Sequence, residues 1–256
     1  MSNVSASHIM KVIPVILLYL MTACTTDSSP SRLQAYLSPE SHPSAGAPQK
    51  LPTIPPDGLP LWLAFLPDAV EPSSITLSED SWTRLEARTG HEVQTKLPVK
   101  VQGVVRLGEF NPEKGFEQLK TFGKDHNAQY FLLVLVSNAE VKTPAYFYVV
   151  PEVSELPGYQ VKNHASIELA LVDTNSEKLV TGVRGSSYAT LEQLDVPLES
   201  NRYPAVFGTS MANRIFPPED RALDILRMVA MDEALDQAVM KLENEWRKAR
   251  MEQKGS

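Results

Sequence analysis

The chain of 256 residues has a single cysteine, Cys24, which stands at the exit of a short apolar run. Without a second thiol no internal disulfide can form, so any folded part must be held by packing alone. Lys11 opens the run, Val12 to Met21 is apolar throughout, and Thr22 and Ala23 are small. A positive start, a short apolar middle and a small-residue exit are the anatomy of a secretory signal. The run is too short to span a bilayer core, which takes about 20 apolar residues. Residues 1–23 are therefore expected to be removed, leaving a mature chain that begins at Cys24; Met10, just before Lys11, suits a translation start.

The stretch Leu20-Met21-Thr22-Ala23-Cys24 resembles the bacterial lipobox, with Leu20 one place further from the cysteine than the usual leucine and Met21 in its position. That resemblance implies cleavage before Cys24 and an acyl anchor on it. The competing reading, a leftover cysteine in an ordinary signal, needs a cleavage site beyond it. Thr25-Thr26-Asp27-Ser28 offers none better than Ala23. Thr25 follows the cysteine where aspartate is the usual inner-membrane retention signal, so the expected address is the outer membrane, with the domain facing the periplasm.

From Thr25 to Pro56 the chain carries prolines at 30, 39, 43, 48, 52, 55 and 56 and six serines. Proline removes amide donors and fixes φ, so residues 24–56 are expected to form the lipidated N-terminus and an extended tether. Inside it, Leu33, Tyr36 and Leu37 fall at helical spacing, the pattern of a small helix that docks on the domain rather than of a random cluster.

Residues 57–256 are expected to form one periplasmic α/β domain, a length that can bury a real core. Leu59 to Phe65 is near-continuously apolar, as in a strand buried on both faces. Ser78 with Glu79 and Asp80 opens a helix that points Trp82, Leu85 and Val93 inward and is expected to end near Gly90. Val99 to Leu107 alternates as a second strand. A helix over 112–124 carries Phe116, Leu119 and Phe122, and Asp125-His126-Asn127 stops it.

Tyr130 to Ser137 is the clearest buried strand, and Ala145 to Val150 a further one. The polar turn 173–177 joins two longer strands as a hairpin. The region 197–218, with its prolines, reads as an irregular crossing. A closing helix over 219–248 lines up Leu223, Leu226, Ala230, Leu235, Ala238, Leu242 and Trp246, a stripe that needs a sheet face to cover it. Its acids at 232–233 and 243–245 read as a solvated face. The sum is a mixed sheet with helices packed on it and a closing C-terminal helix.

The formal charge is -7, and loss of Lys11 with the signal makes it one more negative. With no basic block, nucleic acid is not an expected partner.

The sharpest candidate for chemistry is Gly208-Thr209-Ser210-Met211-Ala212, the surroundings of the nucleophilic serine in subtilisin-like proteases. The remaining triad motifs are missing: Asp173-Thr174 is followed by Asn175, and no histidine lies between Asp173 and Ser210. His91 and His126 can be matched with Asp68 or Asp80 on chain order alone. A serine hydrolase using Ser210 is therefore kept only as the alternative. His91-Glu92 lacks the second zincin histidine, and His42, His126 and His164 have no paired spacing, so neither a metal nor another cofactor is expected. Gly182 and Gly185 lack the setting of a phosphate loop.

Leu33, Tyr36, Leu37 and Pro39, the run 59–67, Gly115 to Leu119, the strand 130–137 and Ala170-Leu171-Val172-Asp173-Thr174 together resemble the bacterial rhombotarget lipoproteins. More broadly, the order of elements is similar to the periplasmic domain of the curli-secretion lipoprotein CsgG and its relatives, without the amphipathic hairpins that line a pore. The resemblance implies envelope assembly or scaffolding without catalysis, through a membrane anchor and an envelope protein partner.

Overall fold

Six strands form one mixed sheet in the order β2-β1-β3-β4-β5-β6. The computed structural model describes residues 32–37, 52, 54–68, 76–108, 110, 114–148, 155–196, 202–211 and 213–254. In chain order the elements are α1 (Arg32–Leu37), β1 (Leu59–Pro67), α2 (Glu79–Lys96), β2 (Val99–Arg106) and α3 (Gly115–His126). They continue with β3 (Tyr130–Phe147), β4 (Leu156–Asp173), β5 (Lys178–Leu194), β6 (Ala205–Gly208) and α4 (Ala222–Lys254). A 3-10 turn, Glu219–Arg221, leads into α4.

β1 lies parallel to both β2 and β3, and its apolar run is explained by burial on two sides. Leu61, Leu63 and Phe65 belong to a core shared with α2 and α4, while Ala64 and Leu66 belong to a second core under α1 and α3. The expected mixed sheet with helices on it and a long closing helix is what forms.

Local signals place several ends correctly. The Ser78 hydroxyl accepts the amide of Ser81 at the start of α2, and Asn127 takes a left-handed conformation at φ 50° to close α3. α2 does not stop at Gly90, however. It runs to Lys96, because Val93 one turn on is fully buried and that burial outweighs the roughly 1 kcal/mol a mid-helix glycine costs.

The sheet is longer than the apolar signals suggest. β3 does not break after Ser137 but pairs with β4 residue by residue from Tyr130↔Asp173 to Phe147↔Leu156. The crossing expected over 197–218 contains β6, which pairs with β5 from Ala189↔Gly208 to Glu192↔Ala205.

α4 buries Leu226, Ala230, Leu235, Ala238, Leu242 and Trp246 as its stripe requires, whereas Leu223 is 43% exposed. Gly185 of β5 makes the close approach possible: a Cβ there would lie 2.0 Å from the Ala234 carbonyl oxygen. The docking helix suggested by Leu33, Tyr36 and Leu37 forms as α1, and all three side chains are buried.

Candidate functional site

Cys24 and the rest of 1–31 lie outside the described residues, as do 38–51. The sites that can be built are therefore those of the folded part, beginning with Ser210.

Ser210 follows β6, and its hydroxyl donates to Glu233 Oε1 of α4 at 2.6 Å. The Ser210 amide donates to the same oxygen at 2.9 Å, and the Thr209 amide to Oε2 at 3.0 Å. The Thr209 hydroxyl and, at 2.5 Å, the Ser187 hydroxyl complete the set on Oε2. Gly208 is what lets the carboxylate in, since a Cβ at that position would lie 2.2 Å from Oε1. Burial pushes the Glu233 carboxyl up, but the donors from Ser187, Ser210 and Thr209 outweigh it and hold the group at about 2.

The Gly-Thr-Ser run is therefore a cradle for a carboxylate ionised at neutral pH, one that ties the end of β6 to α4. A hydroxyl that donates to an ionised carboxylate, with no imidazole bonded to it among the described residues, lacks the base that would activate it as a nucleophile. The structure also corrects the reading of 232–233 as a solvated face. Glu233 is 8% exposed inside this cradle, and Asp232 pairs with Arg88 of α2 at 2.6 Å.

His42 lies outside the described residues, and the histidines among the described residues are scattered. His126 stacks on Trp62 and Phe122, at ring distances of 4.6 and 4.2 Å, and His164 sits 5.9 Å from the Tyr188 ring. Among the described residues, Asp68 is held by partners other than histidine. It accepts the Tyr36 hydroxyl at 2.8 Å, the Ser137 hydroxyl at 2.6 Å and an Arg32 guanidinium nitrogen at 2.9 Å. No group of three metal-ligating side chains occurs among the described residues.

Asp68 is half of a clasp on α1. The other half is Glu168 of β4, whose two oxygens accept the amides of Arg32 and Leu33 at 3.1 Å each. Both amides belong to the first helical turn, where backbone donors have no partner within the helix. Arg184 of β5 lies 3.9 Å from Glu168 and donates to Ser166 at 2.7 Å. Both carboxylates are almost fully buried, at 2% and 3% exposure, so each is held by charge-assisted bonds in a setting where losing them is costly. Neither acid was singled out as a structural anchor in the sequence, because their partners lie far away along the chain.

Two hollows open on the described part of the surface. One of about 540 Å³ lies between the end of β2 and α3, with Val105, Leu107, Phe110 and Phe122 in its wall. The other, about 270 Å³, opens beside the clasp among Arg32, His164, Ser166, Arg184 and Ser186. No helix among the described residues is long and apolar enough to cross a membrane.

No protein-family model matches the chain, and no curated protein matches it in sequence. Among solved structures it is similar to a homolog of a neuraminyllactose-binding hemagglutinin from Helicobacter pylori, at 14% identity and a TM-score of 0.38, covering 81% of this chain and 96% of that one. It is also similar to PelC of the dodecamer from Paraburkholderia phytofirmans, at 13% identity and a TM-score of 0.30 over 54% of this chain and 76% of that one. A third is lipoprotein GNA1162 of Neisseria meningitidis, at 11% identity and a TM-score of 0.27 over 60% and 87%. Likenesses this distant carry no conclusion about family or activity.

Proposed function

We propose that this protein is a bacterial lipoprotein of the outer membrane, anchored through acylated Cys24, whose periplasmic domain is a non-catalytic binding or assembly module. The observation that carries the anchor is the signal at 11–24, a lone lysine, an apolar run and small residues ending at the only cysteine. Its non-catalytic character is supported by Ser210, the best nucleophile candidate, which is committed to the Glu233 cradle. Stable anchoring takes more than one acyl chain, as a bacterial lipoprotein carries.

The test is metabolic labelling with an alkyne fatty acid followed by fractionation of the envelope. Wild type is expected to be labelled and to sediment with outer membranes, and Cys24→Ala to be unlabelled and either uncut or soluble. Unlabelled wild type found free in the periplasm overturns the reading. The alternative, a serine hydrolase, predicts labelling by a fluorophosphonate probe that Ser210→Ala abolishes; no such labelling is expected.

A further inference from the structure

The β3–β5 part of the sheet presents two unlike faces beyond Ser137. Directly paired residues share a face, so register assigns each row. Glu140, Asn163 and Ala189 form one row of the face that α4 covers, and Arg227 of α4 binds Glu140 at 2.7 Å. The opposite face carries the rows Ser137–Ser166–Ser186, Ala139–His164–Tyr188 and Val141–Lys162–Thr190. α1 and α3 cover this second face near β1, but past the clasp Val141, Lys162, His164, Ser186 and Tyr188 are exposed.

Charge is sorted by depth on this open face. Lys162 and Arg214 stand at the surface, and Arg32 and Arg184 are partly exposed at its border. The carboxylates beneath them, Asp68, Glu168 and Glu192, are buried. Each arginine is paired with one of these acids, Arg214 with Glu192 at 2.8 Å, Arg32 with Asp68 at 2.9 Å and Arg184 near Glu168 at 3.9 Å, so in a chain of net charge -7 this face turns its positive ends to solvent, with Lys162 as the cation in excess. Aromatic rings lie within it: the Lys162 ammonium is 6.0 Å from the Tyr188 ring, and Arg214 lies 5.0 Å above Phe207. Cations beside tyrosine and phenylalanine are the side chains that favour the headgroup layer of a bilayer.

Chain length says which surface can reach a membrane. Arg32, held by the clasp, borders this same face and is only eight residues after Cys24, a reach of at most about 29 Å. A domain of some 200 residues is roughly 40 Å across. The leash is therefore shorter than the domain, so the side opposite Arg32 cannot lie against the bilayer, whereas the open face that Arg32 borders can.

We infer that the open face of β3–β5, with Lys162, His164, Tyr188 and Arg214, rests on the membrane surface and binds the headgroups of anionic phospholipid. This rests on Cys24 being the anchor, and it adds an orientation to that reading.

The experiment uses the full-length protein, expressed with its signal in bacteria, in phosphatidylcholine vesicles with and without phosphatidylglycerol, and a quencher attached to the lipid headgroups. A dye is placed on Val141→Cys or Tyr188→Cys, and for comparison on Met240→Cys, an exposed position of α4 across the sheet. Quenching is expected at 141 and 188 but not at 240, and only with phosphatidylglycerol present and at low salt. Removing one cation with Lys162→Ala should shift the balance away from the membrane-facing orientation about fivefold.

Protein that fails to float with the vesicles overturns the anchor, and this inference with it. Protein that floats with equal quenching at 188 and 240, or none, overturns the orientation and leaves the anchor standing. Quenching indifferent to phosphatidylglycerol and salt overturns headgroup recognition. Floating protein whose dye at 188 stays unquenched but responds to an added acidic peptide assigns the face to an acidic protein, and overturns the proposal as well.

Discussion

Glu168 caps a helix that lies 135 residues before it: its Oε2 accepts the amide of Leu33 at 3.1 Å, as its Oε1 accepts that of Arg32. A buried carboxylate in this role is worth more to the fold than its exposed counterpart, since its loss strands two donors. Glu168→Ala is expected to destabilise the domain by about 1–3 kcal/mol, the cost of unpaired buried groups, and Glu168→Gln by less, because one acceptor oxygen remains. Urea titration gives the loss. Hydrogen exchange at the amides of Arg32 and Leu33 shows where it falls, with faster exchange expected at these two sites.

The Glu233 cradle predicts an acid-sensitive fold. Its carboxyl titrates at about 2, against 4.5 for the free group, so the folded state holds its proton less tightly than the unfolded chain does. The stability it contributes is complete above about pH 4.5 and drains away as the pH falls toward 2. The full span is about 3 kcal/mol. Glu233→Gln keeps the shape without the charge, so its stability curve should be flatter than wild type over that interval. A wild-type curve equally flat there would show that the cradle does not hold the charge.

Leu235 and Asp236 are neighbours in α4 with opposite fates. Leu235 is fully buried, and its truncation to alanine should cost about 2–5 kcal/mol. Asp236 binds Arg88 of α2 at 3.0 Å while half exposed, and Asp232 holds the same guanidinium, so Asp236→Ala should cost less than about 1 kcal/mol. Thermal melts of the two variants should separate clearly. Equal melts would mean that α4 does not depend on its contact with the sheet.

Two glycines of β5 form a matched pair. Gly185→Ala places a carbon 2.0 Å from the Ala234 carbonyl oxygen, so α4 must move, at a cost of about 1–3 kcal/mol. At Gly182 the nearest atom to a Cβ is 3.7 Å away. Gly182→Ala is expected to be neutral or stabilising, because alanine loses less chain entropy in a strand. The denaturation midpoints should move in opposite directions, or only the first should move.

How much of this was legible in the sequence follows from the distance over which each signal acts. β1, the first half of β3 and the α4 stripe announce themselves through local apolar pattern, and Leu33, Tyr36 and Leu37 show the docked helix by spacing alone. The second half of the β3–β4 hairpin was hidden because one of its faces is open. Its rows mix Lys142 and Lys162 with Val141 and Val161, which dilutes the apolar signal. β6 was masked by nearby prolines. The clasp and the cradle were least visible, since an acid reads as solvated until its donors arrive, and those of Glu233 lie 23 to 46 residues earlier. Gly-Thr-Ser after a strand carried the one local hint: two consecutive hydroxyl residues behind a glycine can surround an anion as readily as they can attack a carbonyl.

The clasp also fixes a sequence of events in time. Arg32 reaches 36 residues forward for Asp68 and 136 for Glu168, so α1 has no seat until β1, β3 and β4 have assembled. Contacts of such long separation form late, after loop closure has been paid for by nearer ones. The first of the described helices in chain order is thus fastened among the last. Its docking marks the point at which the domain is finished.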